Sequence, residues 1–457
     1  MRAPRSSPAE RSPVDACTAA ADDAAGADRR GLLGRRSFLY AGGAAAALAA
    51  GFPLVQTFGA RDEARPWRPG PYGPLRPDPE GRLDLPEGFS YRVISRTGTT
   101  MSDGLRVPAR PDGMACFTLP DGSLALLRNH ENPAHVGLLG PWTDGVAPES
   151  YSQEGMGGVT RVVLDPATLE VRSTNLVLGG TTLNCAGGPS PWGWLSCEED
   201  YDARHGLVFA CDPTAARIAA PQPIRGYGRF RHEAACVDPR TSIAYLTEDR
   251  EDSCLYRFVP HDPARPFDGE LQALAIRGRP RARTGTGLRA GERLEIAWVP
   301  VRDPDPGDDV LRHLAQQDGA ASFVRGEGMA FDPQRGAVVF AASAGGPDAN
   351  GQLFRVEPEG DGGELLLLAQ SEGSADFDMP DNLVVAPNGV VFFCEDGRDR
   401  NYVRAIGTDG RVFDFARNTL SRSELAGVCF SPDGRAMFVS LQTDGLTLAI
   451  TGPFAHA

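Results

Sequence analysis

A chain of 457 residues with a net charge of −14 lacks the basic surface that nucleic-acid binding requires, so that class of partner is excluded. Every basic side chain other than histidine is an arginine, and the absence of lysine removes a P-loop lysine, a Schiff-base lysine and a Ser–Lys dyad from consideration. With 54 glycines and 38 prolines spread along its length, the chain reads as turn-rich and all-β rather than helical.

The first element is a leader. Arg35 and Arg36 precede Ser37, Phe38 and Leu39, and an alanine-rich run follows from Ala41 to Val55. This is the pattern of a twin-arginine (Tat) export signal behind an extended leader. At about 15 residues the run is short for a membrane helix, so no stable span is expected. No clean A-x-A cleavage site follows, which leaves an uncleaved anchor as the alternative. The reading implies passage through the Tat translocase and a periplasmic, extracellular or cell-surface location. Residues 1–60 form the leader and 61–457 a single domain.

Beyond the leader one unit recurs: an apolar strand, a tight turn, a second strand, then polar residues. It appears as CFTLPDGSLALLRNHE, SPWGWLSCEEDYDARHGLVFACDP, ACVDPRTSIAYLTEDRED, MAFDPQRGAVVFAASAGG, LVVAPNGVVFFCEDG and VCFSPDGRAMFVSLQTDG. The spacing of the last two copies is roughly 45 residues, the length of one propeller blade, and about six such units fit after residue 85. The predicted fold is all-β, a six-bladed β-propeller, with a pair of β-sandwiches as the alternative. The Arg/Pro-rich segment 261–320, which contains the helix-like DDVLRHLAQQDG, reads as an insertion.

In a propeller, corresponding strand ends meet at one mouth of the channel. Second-strand ends carry Asn129–Glu131, Glu198–Asp200, Glu248–Asp252 and Glu395–Asp396. Strand starts carry Arg231-His232-Glu233, Arg325-Gly326-Glu327 and Asp381-Asn382. Any one acidic strand end is ordinarily a solvated loop, but so many carboxylates gathered in a partly desolvated mouth call for cations. Oxygen-rich sets suit Ca²⁺. Cys185 stands in the loop-like NCAGG, where a thiolate would favour a transition metal; a disulfide with Cys197 is the other reading. The remaining cysteines beyond the leader read mainly as small buried side chains.

At RNHE (128–131), NCAGGPSPWGWLSCEED (184–200), GRFRHEAACVDP (228–239), RGEGMAFD (325–332) and DMPDNLVVAPNGVVFFCEDG (378–397) the sequence resembles the PhoX-type alkaline phosphatases and related Tat-exported proteins. That resemblance implies a six-bladed propeller with an iron–calcium cluster at the channel mouth, hydrolysing small phosphate esters. It implies Cys185 as the iron-binding thiolate, Glu198 or Glu199 as a carboxylate ligand, and Glu233 and Glu327 as carboxylates shared between iron and calcium. Arg325 would grip the substrate phosphate, with Asn129 beside it. Glu131, Asp381 and Glu395 would complete the ligand set, with Asn382 as ligand or support. The sequence departs from the family in that RGEGMAFD lacks an Arg-Pro-Glu-Trp form. Two further readings stand beside this one: a calcium-dependent lactonase or esterase propeller, and a non-catalytic binding propeller stabilised by calcium.

Overall fold

The repeated turns fold as hairpins. In Ala386–Gly389 and Ser431–Gly434 the last residue must take a left-handed conformation, φ +84° and +70°, and is glycine in both. Its N–H donates back to the first carbonyl of the turn at 2.8 Å in each case. The computed structural model describes residues 68–454 apart from Asp144, Ala203 and Ala375, and the expected export signal lies outside the described residues. Among these residues the one α-helix is short, Leu311–Gln317. No helix among them is long and apolar enough to cross a membrane.

Six hairpin units follow one another around a propeller-like ring. Their innermost strands are Pro111–Thr118, Asn184–Ser190, His232–Val237, Gly326–Asp332, Pro380–Val385 and Leu425–Phe430. Each packs on the next and the last packs on the first. The ring is joined by the strand Ser90–Arg96, which precedes the first unit, pairs antiparallel with Leu446–Thr451 and supplies the outer strand of the sixth unit. Leu83–Pro86 similarly adds to Val412–Asn418 of the fifth. Apolar side chains between units form the core. Ile94, Met114, Leu126, Val162, Phe438 and Ala449, for example, bury the seam between the first and sixth units.

The units are not uniform. The one beginning at Asn184 has three strands, and the third and fourth units are joined into a single nine-stranded sheet. The joining strand is Arg293–Pro300, which pairs with Gly269–Ile276 on one side and Gly362–Gln370 on the other. The segment 261–320 is therefore only partly an insertion: Gly269–Ile276 is an ordinary outer strand of the third unit. RLEIAWVP owes its place to alternation, with Leu294 and Ile296 buried between more exposed neighbours.

One irregularity recurs in all six units and positions the mouth. The first residue of each innermost strand pairs in register, as His232 does with Glu248. The residue three further on pairs only two positions back, as Ala235 does with Leu246. The same shift occurs after Pro111, Asn184, Gly326, Pro380 and Ala426. Each strand thus opens with a β-bulge, which re-aims the side chain that follows the first paired residue. Small residues inside the bulges let the strands close up: a Cβ on Gly113 would lie 2.6 Å from Ala186 Cα, and one on Gly328 2.6 Å from Asn382 Cα.

Candidate metal centre

The residue after the first paired position in each bulge is, around the ring, Asp112, Cys185, Glu233, Glu327, Asp381 and Gly427. Five of the six equivalent places therefore carry an acid or a thiol. All five of these side chains are buried. Together with Glu131 and Glu199, just past second strands, and Glu424, just before the sixth innermost strand, they form three sets whose ligand atoms lie within 4.8 Å of one another: Glu131–Cys185–Glu199, Asp112–Glu131–Glu424 and Glu233–Glu327–Asp381.

Electrostatics favour cations at these sets. Burial, reinforced by Glu327 and Asp381, pushes the Glu233 carboxyl well above the usual carboxylate range. Burial with Glu131 and Glu424 does the same to Asp112. The Cys185 thiol is driven up by burial and by Asp112, Glu233, Glu131 and Glu199. Both carboxylate oxygens of Glu233 are buried and have no hydrogen-bond partner among the described residues. An uncompensated carboxylate in such a place is costly, and a bound cation answers the cost directly. The residues present fit a multi-cation centre.

Other groups hold these ligands in place. Gln442 donates to Asp112 at 2.6 Å and to Glu131 at 2.9 Å, while Arg110 reaches Glu131 at 2.5 Å. Arg325 grips Asp249 bidentately at 2.7 and 2.6 Å, and its Nη2 lies 2.9 Å from Glu327. Ser343 donates to Glu327 at 2.6 Å. Asn382 donates to Asp381 at 3.0 Å and accepts from the Gly427 N–H, which ties the fifth unit to the sixth.

Several residues expected in the site lie elsewhere. Glu198 accepts from the N–H groups of Thr182, Gly206 and Leu207 and pairs with His205 at 2.7 Å, fully inside its own unit. Glu395 is likewise enclosed by the N–H groups of Asp378 and Tyr402 and by Arg404. Both carboxylates belong to strand-final positions that pair with the first residue of the inner strand, and they secure the loops that follow. Glu199, one residue past Glu198, is the member of that pair brought to Cys185. Asn129 is completely buried and saturated. It donates to the Cys185 and Ala186 carbonyls and accepts from Trp194 and Ser196, so it braces the Cys185 bulge from behind. Cys185 and Cys197 are both free thiols.

Sequence reasoning missed Asp112 and Glu424, and it took Asp249 only as one of the acids of Glu248–Asp252. A signal for Asp112 was present, since Arg110-Pro111-Asp112 repeats the R-x-acid spacing of Arg231-His232-Glu233 and Arg325-Gly326-Glu327. Nothing comparable marks Glu424.

A propeller-like ring that delivers five acids or thiols from equivalent bulges to one mouth is a β-propeller with a candidate multi-cation centre. The chain belongs to the alkaline phosphatase PhoX family, whose model matches residues 70–445. Among solved structures, Pseudomonas fluorescens PhoX in complex with vanadate, a transition-state analogue, is similar with a TM-score of 0.66 and 18% identity, covering 84% of this chain and 98% of that one. A gluconolactonase from Xanthomonas campestris is similar at a TM-score of 0.44 and 11% identity, over 84% of this chain and 100% of that one. Virginiamycin B lyase from Staphylococcus aureus follows at 0.37 and 10%, over 79% and 99%. No curated protein matches the sequence. The PhoX likeness shows the fold.

Proposed function

We propose that the protein is an exported, metal-dependent phosphatase that hydrolyses phosphate monoesters at an iron- and calcium-binding centre in the channel mouth. Family membership supports the reaction class. The observation that carries the metal chemistry is the buried, unbonded Glu233 carboxylate beside a second ligand set that contains the Cys185 thiol. Glu233, Glu327 and Asp381 would hold a hard cation such as Ca²⁺, as would Asp112, Glu131 and Glu424. Cys185 with Glu131 and Glu199 would hold a softer one such as iron. When bound, the cations supply Lewis-acid stabilisation of the charge that develops on the phosphoryl oxygens. Asp249 fixes the plane of the Arg325 guanidinium against Glu327, which orients it as a grip on a phosphoryl group. The vanadate complex of the P. fluorescens relative is in keeping with an anion site of this kind.

Purified protein is expected to contain transition metal and calcium on elemental analysis and to hydrolyse p-nitrophenyl phosphate. Chelation should abolish turnover and calcium should restore it. Metal-free protein that turns over no phosphate monoester after reconstitution would rule the reading out. Cys185→Ser separates it from a calcium-dependent lactonase on the same scaffold: the phosphatase should lose its transition metal and at least a hundredfold in kcat, whereas a lactonase would keep its activity. Export rests on Arg35 and Arg36, and a double Arg→Lys variant that still leaves the cytoplasm would exclude the twin-arginine route.

A further inference from the structure

The arginines that precede the ring acids are not equally engaged. Arg110, Arg231 and Arg325 occupy equivalent positions, each directly before the first paired residue of an innermost strand. Arg110 contacts Glu131 at 2.5 Å and Gln442 at 3.4 Å. Arg325 is clamped by Asp249 and Glu327. Arg231 differs: its nearest acid is Glu199 at 3.8 Å, beyond hydrogen-bonding distance, and its buried Nε has no hydrogen-bond partner among the described residues. Its main chain is nevertheless firmly set. The Asp249 N–H donates to its carbonyl, the next residue, His232, stacks on Phe230 with ring centroids 3.6 Å apart, and His232 Nε2 contacts the Gly228 carbonyl at 3.0 Å.

A firmly held backbone thus carries an under-used guanidinium beside Glu199 of one ligand set, two residues before Glu233 of another. Leaving the buried Nε–H unmet is unfavourable, and a guanidinium fork matches a group with several anionic oxygens. We propose that Arg231 binds the phosphoryl group of the substrate, and the inorganic phosphate that hydrolysis leaves, as a second anion grip separate from Arg325. The choice of phosphate as the anion rests on the phosphatase reading.

Titration calorimetry of inorganic phosphate into metal-replete protein tests this, with Arg231→Gln and Arg231→Lys compared to the unaltered chain. Arg231→Gln is expected to weaken phosphate binding about tenfold or more. Arg231→Lys, which keeps the charge and loses the fork, should recover only part of the loss. Bound metal and the unfolding midpoint should stay unchanged, and KM for p-nitrophenyl phosphate should rise by more than kcat falls. If Arg231→Gln does not fold, Arg231→Lys carries the test through its weakened phosphate affinity. Unaltered affinity in the variant that folds, absence of phosphate binding by the unaltered chain, or loss of metal in parallel with loss of phosphate would each overturn the proposal. Ester hydrolysis with unaltered phosphate affinity in Arg231→Gln removes this inference alone. Phosphate binding through Arg231 without turnover of any monoester removes the phosphatase reading and leaves the grip.

Discussion

Glu233 ties protein stability to cations at the level of a single side chain. Its folded carboxyl is raised by burial and by Glu327 and Asp381, and Asp112 is raised by burial and by Glu131 and Glu424. An acid with a raised folded pKa binds its proton more tightly folded than unfolded. The stabilisation is therefore complete below the ordinary carboxylate range and is lost as pH rises through the folded pKa. Metal-stripped protein should accordingly unfold at a lower temperature at pH 8 than at pH 5, and added calcium should abolish the difference. Calorimetric scans in chelator and in calcium at both pH values check this, and stability that increases with pH in chelator would contradict it. Glu233→Gln removes the buried charge, so in chelator it is expected to gain about 1–3 kcal/mol while losing cation affinity. At this scale the sequence was legible for five of the expected ligands, but not for Glu395, which is enclosed in its own unit, nor for Asp112 and Glu424. Cys185, Glu131, Glu233, Glu327 and Asp381 all reach the mouth. It was ambiguous between Glu198 and Glu199 because adjacent strand residues face opposite ways, and the absolute direction depends on partners that no local pattern reveals.

The bulge is the element that decides which side chains face the channel. A plain two-residue alternation along RHEAACV or RGEGMAF would not tell which residues line the mouth, because the extra residue reverses the alternation within the first turn of pairing. The hairpins themselves were readable from DP, PNG and PDG turns, whereas Arg293–Pro300 was hidden within a segment whose arginines and prolines suggested an excursion. The sixth bulge is the exception among the ring positions, with Gly427 where the others carry ligands. Its φ is +68°, and an added Cβ would fall 2.2 Å from the Asp112 carbonyl oxygen. Gly427→Ala should therefore cost roughly 2–4 kcal/mol from backbone strain and overlap combined. Because the clash pushes on Asp112, it should also weaken cation binding at Asp112–Glu131–Glu424 more than at Glu233–Glu327–Asp381. Denaturant unfolding and a calcium titration read the two effects separately, and a variant as stable as the parent would show that the seam relaxes freely.

Ring closure converts local strand pairing into a property of the whole molecule. The first and sixth units meet with their termini tied by Ser90–Arg96 on Leu446–Thr451, and Ile94 of that strand packs into the core that both units share. The strand lies outside the repeats, so SYRVISR gives no hint of its partner; only the arrangement of the entire chain supplies one. Each ligand set draws on more than one unit, but they span different seams. Asp112 and Glu131 belong to the first unit and Glu424 lies just before the sixth, whereas Glu233, Glu327 and Asp381 come from the third, fourth and fifth. Val93 pairs with Leu448 within the closing ladder, and proline there would remove a donor and disturb the strand. Val93→Pro is expected to destabilise the fold by about 3 kcal/mol. It should also lower calcium affinity at the seam-spanning set while Cys185–Glu131–Glu199, contained in the first two units, retains its transition metal. Elemental analysis after dialysis against limiting calcium distinguishes the two sets. Equal loss from both would mean that the ring opens as one cooperative body, and full retention by both would mean that inner-strand packing holds the mouth together without the closing strand.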